Sequence, residues 1–448
     1  MTPEYRRLRV ALLGAGAVGS QVASLLLQHG DELADRAGAV LELAGIAVRD
    51  VNAPRDVDLP AELFTTDAES LIVGADIVIE LMGGIEPARE YILQAIGSGA
   101  DVVTANKALL ATHGPELFEA ADQVGASVHY EAAAAGAIPI IRPLRDSLAG
   151  DRIVRIMGIV NGTTNYILDR MDTEGADFAD VLAEAQRLGY AEADPTADVE
   201  SYDAAQKAAI LASLAFHTAV PLEAVHREGI TGVTKAMIDQ ARDADQVIKL
   251  LAVCERIDVD GAESISVRVY PALVSRTHPL ASVHGAHNAV FVEAEAAGDL
   301  MFYGAGAGGI QTASAVLGDV VSAARRHIAG GTGVGESTRA NMPVAPIGHV
   351  VTRYQITLEV DDQPGVLATI AGILSDGGVS VATVVQTVVD LSTPVAEPGR
   401  STGTGIPTAL LVIGTHRATE QALSDTVARL AESDVVERVA SVLRVEGE

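Results

Sequence analysis

The chain has 448 residues, which is room for two or three domains. With 48% apolar residues it can bury a large core, which excludes global disorder, and no run approaches the roughly 18 apolar residues of a membrane span. Thirty-one basic against 60 acidic residues give a net charge of −29, which repels a phosphate backbone and excludes nucleic acid as an expected partner.

Residues 8–13, LRVALL, form a short apolar run that predicts a buried strand. The arginines at 6, 7 and 9 before it give a superficial likeness to a signal peptide, but the run leads into a glycine-rich turn instead. That turn is Gly14-Ala15-Gly16-Ala17-Val18-Gly19, followed by the apolar helix QVASLLLQHG and a strand at LELAGIAV. The run ADIVIELM ends in Gly83-Gly84. After a helix come the strand DVVTAN, a helix from Lys107, and an expected strand SVHYEAAA. Strands alternating with helices predict a parallel, doubly wound sheet, an α/β domain over residues 1–140.

Residues 141–303 read differently, as an α+β domain. The strand RIVRIMGIV runs into the turn Asn161-Gly162-Thr163-Thr164; alanine-rich helices follow, then the strands ISVRVYPALV and AVFVEAEAAG. The only cysteine, Cys254, lies in the apolar run LLAVCERI, which suits a core residue. A single cysteine rules out an intrachain disulfide framework and fits a reducing, cytoplasmic setting. A second glycine cluster, Gly304 to Gly309, precedes a helix expected to return to the first domain and complete it over about 304–330. Residues 331–350 are Gly- and Pro-rich and are read as a linker. From 351 to 448 the order βαββαβ predicts a small split-βαβ domain, with a polar insert at 391–407 read as a mobile loop.

Four segments carry chemistry. The turn Gly14–Gly19 matches G-x-G-x-x-G between a strand and a helix, the context that makes it a dinucleotide site. Gly14 allows the tight turn, Gly16 admits the pyrophosphate, Gly19 lets helix and strand pack, and the helix N-terminus at Ala17-Val18 faces the anion. The second strand ends at Val48-Arg49-Asp50. Arg49, assisted by Arg55, suits a 2′-phosphate and favours NADP, whereas Asp50 suits the ribose of NAD; either arginine is also an ordinary solvated loop residue. Thr104-Ala105-Asn106-Lys107 lies at the carboxyl end of a parallel strand, where such sheets bind ligands. A lysine at a helix start opposes the helix dipole, which argues for a functional Lys107.

The densest signal is GYAEADPTADVESYDAAQK, residues 189–207. Asp203 and Lys207 are four apart on one helix face. An exposed ion pair is the plain reading. The strongly apolar helix beyond Lys207 favours an interior cleft, with Lys207 as proton donor to a carbonyl, Asp203 orienting it and Glu192 holding a substrate ammonium.

Along nearly its whole length the chain resembles bacterial homoserine dehydrogenases, through GAGAVG, ELMGG, TANKALL, EAAAAGAIPII, GIVNGTTNYIL, GYAEADPTADVESYDAAQKAAIL and FYGAGAGGIQTASAV. The resemblance implies reduction of aspartate 4-semialdehyde to homoserine with NADP or NAD as cofactor. It implies Lys207 as acid/base, Lys107 at the reacting centre, and Glu192, Asp198, Asp203, Thr163 and Tyr190 around the substrate. Gly83, Thr104 and Gly308 join the cofactor residues. It implies a monovalent cation, sodium, near Glu131 and the backbone of Ala134, Gly136 and Ile138. Two positions depart from the family: Ala134 replaces a bulkier residue and Arg142 replaces a small one. The C-terminal unit resembles an ACT domain at Asp361-Asp362-Gln363-Pro364-Gly365-Val366-Leu367, which implies a ferredoxin-like fold, pairing into a homodimer or homotetramer, and threonine as effector.

Three other functions compete. Oxidation of aspartate semialdehyde to an acyl phosphate needs a cysteine nucleophile, and Cys254 sits in an apolar run. A dehydrogenase of another small amino acid, such as aspartate, is the nearer alternative. A non-catalytic sensor of dinucleotide and amino acid is the third, against which Lys107, Glu192, Asp203 and Lys207 all stand intact.

Overall fold

The structure is a computed structural model that describes residues 5–330, 338–388 and 408–447. Six strands, β1 (Arg6–Leu13), β2 (Ala39–Ala47), β3 (Phe64–Thr65), β4 (Ile77–Glu80), β5 (Asp101–Thr104) and β6 (Val128–His129), form a parallel sheet in the order β3-β2-β1-β4-β5-β6. This is a doubly wound, Rossmann-type sheet, and its order reverses between β1 and β4, where ligands bind in such folds. The continuous apolar run of β1 follows from its burial on both faces: Leu8, Val10, Leu12 and Leu13 are all fully buried. One face is covered partly from far along the chain. The helix Gly309–Ala329 places Ala313, Val316, Val320 and Ala323 in one cluster with Leu8, Val10 and Leu12.

The expected strand SVHYEAAA is only partly a strand. Val128–His129 pairs with β5, but Ala132–Ala135 makes a helical turn, stopped by Gly136 at φ +65°. Four alanines without a β-branched neighbour favour helix, and nothing across the sheet edge overrides them.

The second sheet is mixed. Its strands are β7 (Ile153–Ile159), β8 (His226–Arg227), β9 (Gln246–Val259), β10 (Ala262–Ser275), β11 (His287–Ala294), β12 (Gly298–Ala305), β13 (Val351–Asp361), β14 (Val381–Val388), β15 (Thr408–Thr415), β16 (Ala418–Thr419) and β17 (Val436–Glu446). The main order is β12-β11-β7-β9-β10-β17-β13-β15-β14, with β8 and β16 paired at the side. Two members differ from expectation: LLAVCERI is part of β9 rather than an unassigned core run, and GDLMFYGA forms β12 up to the second glycine cluster.

The C-terminal unit carries the helices Val366–Asp376 and Glu420–Ala431, so its order is βαββαβ apart from the two-residue β16. Its last strand, β17, runs parallel to β10 through Ala272–Arg444, Leu273–Val445 and Val274–Glu446, which joins the two units into one sheet. Residues 331–337 of the expected linker and the 391–407 insert lie outside the described residues. The described remainder of the linker lies against the second unit: Ala340 N donates to His217 O at 3.0 Å, and Val344 bridges Ile265. Among the described residues no helix is long and apolar enough to cross a membrane.

Candidate active site

The glycine turn leaves β1 at the point of order reversal. Gly14 has φ +100°, and a Cβ there would lie 2.6 Å from Leu81 O. A Cβ on Gly19 would lie 2.1 Å from Gly14 O, whereas one on Gly16 would meet nothing within 4 Å. Two glycines are therefore demanded by protein packing, and the third faces open space at the N-terminus of the helix Ala17–Gln28. A cradle that only a bound group fills fits a dinucleotide pyrophosphate.

Across the crevice, β4 and β5 end in a polar network. Glu80 is fully buried; its Oε1 accepts from Met82 N at 2.8 Å and Gly83 N at 3.2 Å, and its Oε2 accepts from Thr104 Oγ1 at 2.6 Å. Thr104 Oγ1 in turn accepts from Asn106 N at 3.0 Å, and Asn106 caps the helix Lys107–Val124 by accepting from Leu109 N. The Thr104 hydroxyl is thus spent on shaping the turn that presents Lys107. Glu80 was passed over in the sequence, where an acid at a strand end carries no spacing signal.

The first and second units meet at Asp203. It is the second residue of the helix Tyr202–Phe216, whose Ala204, Ala205, Ala208, Leu211 and Ala212 are buried and fix its rotation. Lys207 Nζ lies 2.7 Å from Asp203 Oδ2 and donates to Val160 O at 2.7 Å. Lys107 Nζ, from the other unit, lies 2.5 Å from Asp203 Oδ1. Asn161 joins the group: its Nδ2 donates to Asp203 Oδ2 at 3.0 Å and to Asp198 Oδ1 at 2.7 Å, while its Oδ1 accepts from Thr164 N. Burial alone would raise the Asp203 carboxyl, but the ammonium groups of Lys207 and Lys107 hold it well below the usual carboxylate range. Asp198 goes the other way: burial pushes it up against the Asn161 hydrogen bond, and the charge on Asp203 adds to the rise.

Lys107, Asp198, Asp203 and Lys207 are therefore together, with Asn161 as a member that the sequence offered only as part of a turn. Thr163 Oγ1 donates to Tyr190 O at 2.7 Å, so its hydroxyl holds the following loop. The Tyr190 ring is half exposed and lies 4.9 Å from that of Tyr166. Glu192 is exposed, and its backbone carbonyl accepts from Gln186 Nε2; its carboxylate makes no bond to the lysine–aspartate group.

The two arginines beyond β2 divide. Arg55 donates to Val51 O, Ala53 O and Asp50 O and stacks 4.1 Å from the Phe64 ring, so it builds the loop. Arg49 is exposed and makes no ion pair among the described residues. The Asp50 carboxylate accepts from Asn52 N at 2.9 Å.

The turn 131–142 is equally occupied. Glu131 Oε1 accepts from Ile140 N at 2.5 Å and Ile141 N at 2.6 Å, and Oε2 accepts from Arg142 N at 3.1 Å and Arg142 Nε at 2.8 Å. Four donors use the whole acceptor capacity of a carboxylate, so this side chain does not fit a metal. The backbone oxygens at 131–138 are the hard donors that a cation would meet there. Among the described residues no group of three or more His, Cys, Asp or Glu is arranged for a metal ion. Arg142, the departure from the family, also donates to Gly318 O and Ser322 Oγ, clamping this turn to the helix Gly309–Ala329. Gly136 packs on the second glycine cluster: a Cβ there would lie 2.3 Å from Gly306 O. Gly308, at φ +128°, opens the helix whose Gly309 abuts Ala17 O, beside the cofactor turn.

Residues 14–131 match the family described as the NAD-binding domain of homoserine dehydrogenase, and residues 139–321 match homoserine dehydrogenase itself. The chain is 54% identical to the homoserine dehydrogenase of Mycobacterium tuberculosis, over 100% of this chain and 99% of that one. It superposes on the crystal structure of a homoserine dehydrogenase from Thiobacillus denitrificans with a TM-score of 0.88, at 38% identity and 98% coverage of both chains. A hyperthermophilic archaeal homoserine dehydrogenase mutant solved in complex with NADPH matches 71% of this chain and 97% of its own, with a TM-score of 0.59 at 27% identity.

Proposed function

The chain belongs to the homoserine dehydrogenase family of NAD(P)-dependent oxidoreductases, and from that premise we propose that Lys207 and Lys107, bridged by Asp203, form the centre at which L-aspartate 4-semialdehyde and L-homoserine are interconverted. The shared carboxylate supports this reading most: one buried acid from the second unit holds a lysine from each side of the crevice, within 2.5 and 2.7 Å.

A bound nicotinamide supplies the hydride that adds to the aldehyde carbon. Lys207 has three N–H donors, of which Asp203 and Val160 O take two, leaving one for the aldehyde oxygen. As hydride arrives, the carbonyl π pair moves to that oxygen and takes a proton from Lys207 Nζ; the amine is then reprotonated from solvent. Lys107, less buried, has donors left for substrate and cofactor. Asp203 holds both lysines in place. Glu192 holds the substrate ammonium, with Asp198, Thr163 and Tyr190 around it.

The cofactor would be held on Gly14, Gly16, Ala17, Val18 and Gly19, with Gly308 beside that turn and Gly83 and Thr104 across the crevice. Arg49, exposed and without an ion pair among the described residues, favours the 2′-phosphate of NADP; Arg55 contributes by holding the loop, and Asp50 offers the alternative contact for NAD. A sodium ion would take the backbone carbonyls of Glu131, Ala134, Gly136 and Ile138, supplying rigidity to the turn that supports the second glycine cluster. The C-terminal unit is read as an ACT domain for a threonine effector. A cavity of about 360 Å³ beside Asp361–Leu367 and Gln386 supports that reading. Pairing of such units would make the protein a cytoplasmic homodimer or homotetramer.

The test is homoserine-dependent reduction of NAD and NADP, each with and without threonine, on wild type and Lys207→Ala. Turnover of the variant should fall at least about 100-fold with dinucleotide affinity retained. Near-normal turnover would sink the assignment.

A further inference from the structure

We propose that Arg444, on the last strand of the chain, is a positioning residue for the substrate loop at Asp198–Asp203, acting through Glu228. The proposal rests on the reading above that Asp198 and Asp203 serve the reaction.

The loop is strapped by the segment Arg227–Thr231. Ile230 N donates to Val199 O at 2.8 Å, Arg227 Nη1 to Glu200 O at 2.9 Å, Thr231 Oγ1 to Glu200 Oε1 at 2.9 Å, and Ser201 Oγ to Glu228 O at 2.8 Å. Backbone meets backbone so closely that a Cβ on Gly229 would lie 2.5 Å from Val199 O. These contacts fall on Val199, Glu200 and Ser201, the residues between Asp198 and the helix that carries Asp203 and Lys207. Ser201 is fully buried and has φ +65°, a left-handed conformation that a serine keeps only where its surroundings enforce it. Here the strap enforces it.

The strap is itself held from the C-terminal unit. Arg444 Nη1 donates to Glu228 Oε2 at 2.8 Å, and Nη2 lies 2.8 Å from Oε1, a two-pronged contact. His226 Nε2 also lies 2.8 Å from Oε1. The other edge of the guanidinium is fixed on Glu420, with Nε to Oε1 at 2.9 Å and Nη2 to Oε2 at 3.0 Å, and Tyr354 OH donates to the same carboxylate at 2.8 Å. The Tyr270 ring lies 4.4 Å from the Arg444 guanidinium. The Arg444 side chain is 12% exposed and that of Glu420 4%, so the Glu420 arm is enclosed and fixes the guanidinium; Glu228, 40% exposed, is the outer arm, held by both prongs and by His226. No step of hydride or proton transfer uses Glu228, Glu420 or Arg444. Among the described residues their connection to the reaction runs through the strap to Ser201, and so to the direction of the Asp198 and Asp203 carboxylates.

The experiment compares Glu228→Gln, Arg444→Met and Arg444→Lys in the full chain. Readouts are the KM for homoserine, the KM for the dinucleotide, the melting temperature, and hydrogen exchange of the amides at 196–205. Glu228→Gln and Arg444→Met should raise the homoserine KM about tenfold while the dinucleotide KM stays within about twofold, with faster exchange at Glu200–Asp203. Arg444→Lys should restore part of the loss. Glu228→Gln keeps Arg444 on Glu420 and guards against a misfolded Arg444→Met. A homoserine KM unchanged in a stable Glu228→Gln, or both KM values rising together, overturns the proposal. Lys207→Ala in the same assay reads the acid–base assignment separately, through kcat.

Discussion

Asp203 shows how a single charge decides the chemistry around it. Its pairing with Lys207 was legible from the i,i+4 spacing, because the helix period sets both on one face. Lys107 joining the same carboxylate was not legible, since no local period links two units of the fold. Asn161 was visible only as part of a turn, and its bridging of Asp198 and Asp203 depends on where another helix begins. Replacing Asp203 by asparagine keeps the shape and removes the charge that two ammonium groups share; turnover should drop at least about 100-fold. The same variant has a pH signature. Because the Asp203 carboxyl is held below its unfolded value, its charge stabilises the folded state above about pH 4, and that contribution is lost as pH falls through the depressed value. The melting-temperature gap between wild type and Asp203→Asn should therefore hold above about pH 5 and narrow as pH falls below about 4. A gap independent of pH would show that the lysines do not stabilise this carboxylate.

At the scale of elements, the three glycines of the first turn do different work, and substitution separates them. Gly16→Ala meets nothing within 4 Å, so the melting temperature should hold while dinucleotide KM rises, because the new methyl group enters the ligand's space. Gly19→Ala drives a Cβ to 2.1 Å from Gly14 O, so the turn must open, and stability should fall by about 2 kcal/mol or more. Equal melting temperatures for the two variants would contradict this division. The parallel sheet was readable because its strands are short apolar runs between turn residues. The β9–β10 hairpin was not, although its turn is written plainly: Asp260-Gly261, both with positive φ, join Val259 to Ala262. Long strands buried on both faces lose the alternation that marks a strand, so β9 looked like generic core. The alanine run 132–135 misled in the other direction, since only two residues of that segment reach the sheet edge.

Over the whole molecule the decisive fact is that two units share one sheet. From the sequence, the C-terminal βαββαβ pattern looked self-contained, because nothing in an edge strand states which neighbour it will pair with. The pairing is enforced by charge as well as by backbone. Glu446, near the end of β17, accepts from Tyr270 OH at 2.5 Å, lies 3.3 Å from Arg268 Nη2, and is paired with Arg155. Arg268 is almost completely buried on β10, and its only other carboxylate among the described residues is Glu255 at 3.0 Å. Burial alone would raise the Glu446 carboxyl, but Arg155 and Arg268 hold it below its usual value, so it stays charged at neutral pH. Glu446→Gln leaves Arg155 and Arg268 sharing Glu255, with Glu293 only 3.9 Å from Arg155, and breaking such a network from one side costs about 3 kcal/mol. In calorimetry the wild type should unfold in one transition, since opening the β10–β17 seam separates Glu446 from both Arg268 and Arg155. Glu446→Gln should weaken the seam until the C-terminal unit melts first, as a separate transition at lower temperature. If the variant instead melts in a single transition shifted as a whole, the seam is held by its backbone hydrogen bonds, and the buried charges add stability without setting which parts unfold together.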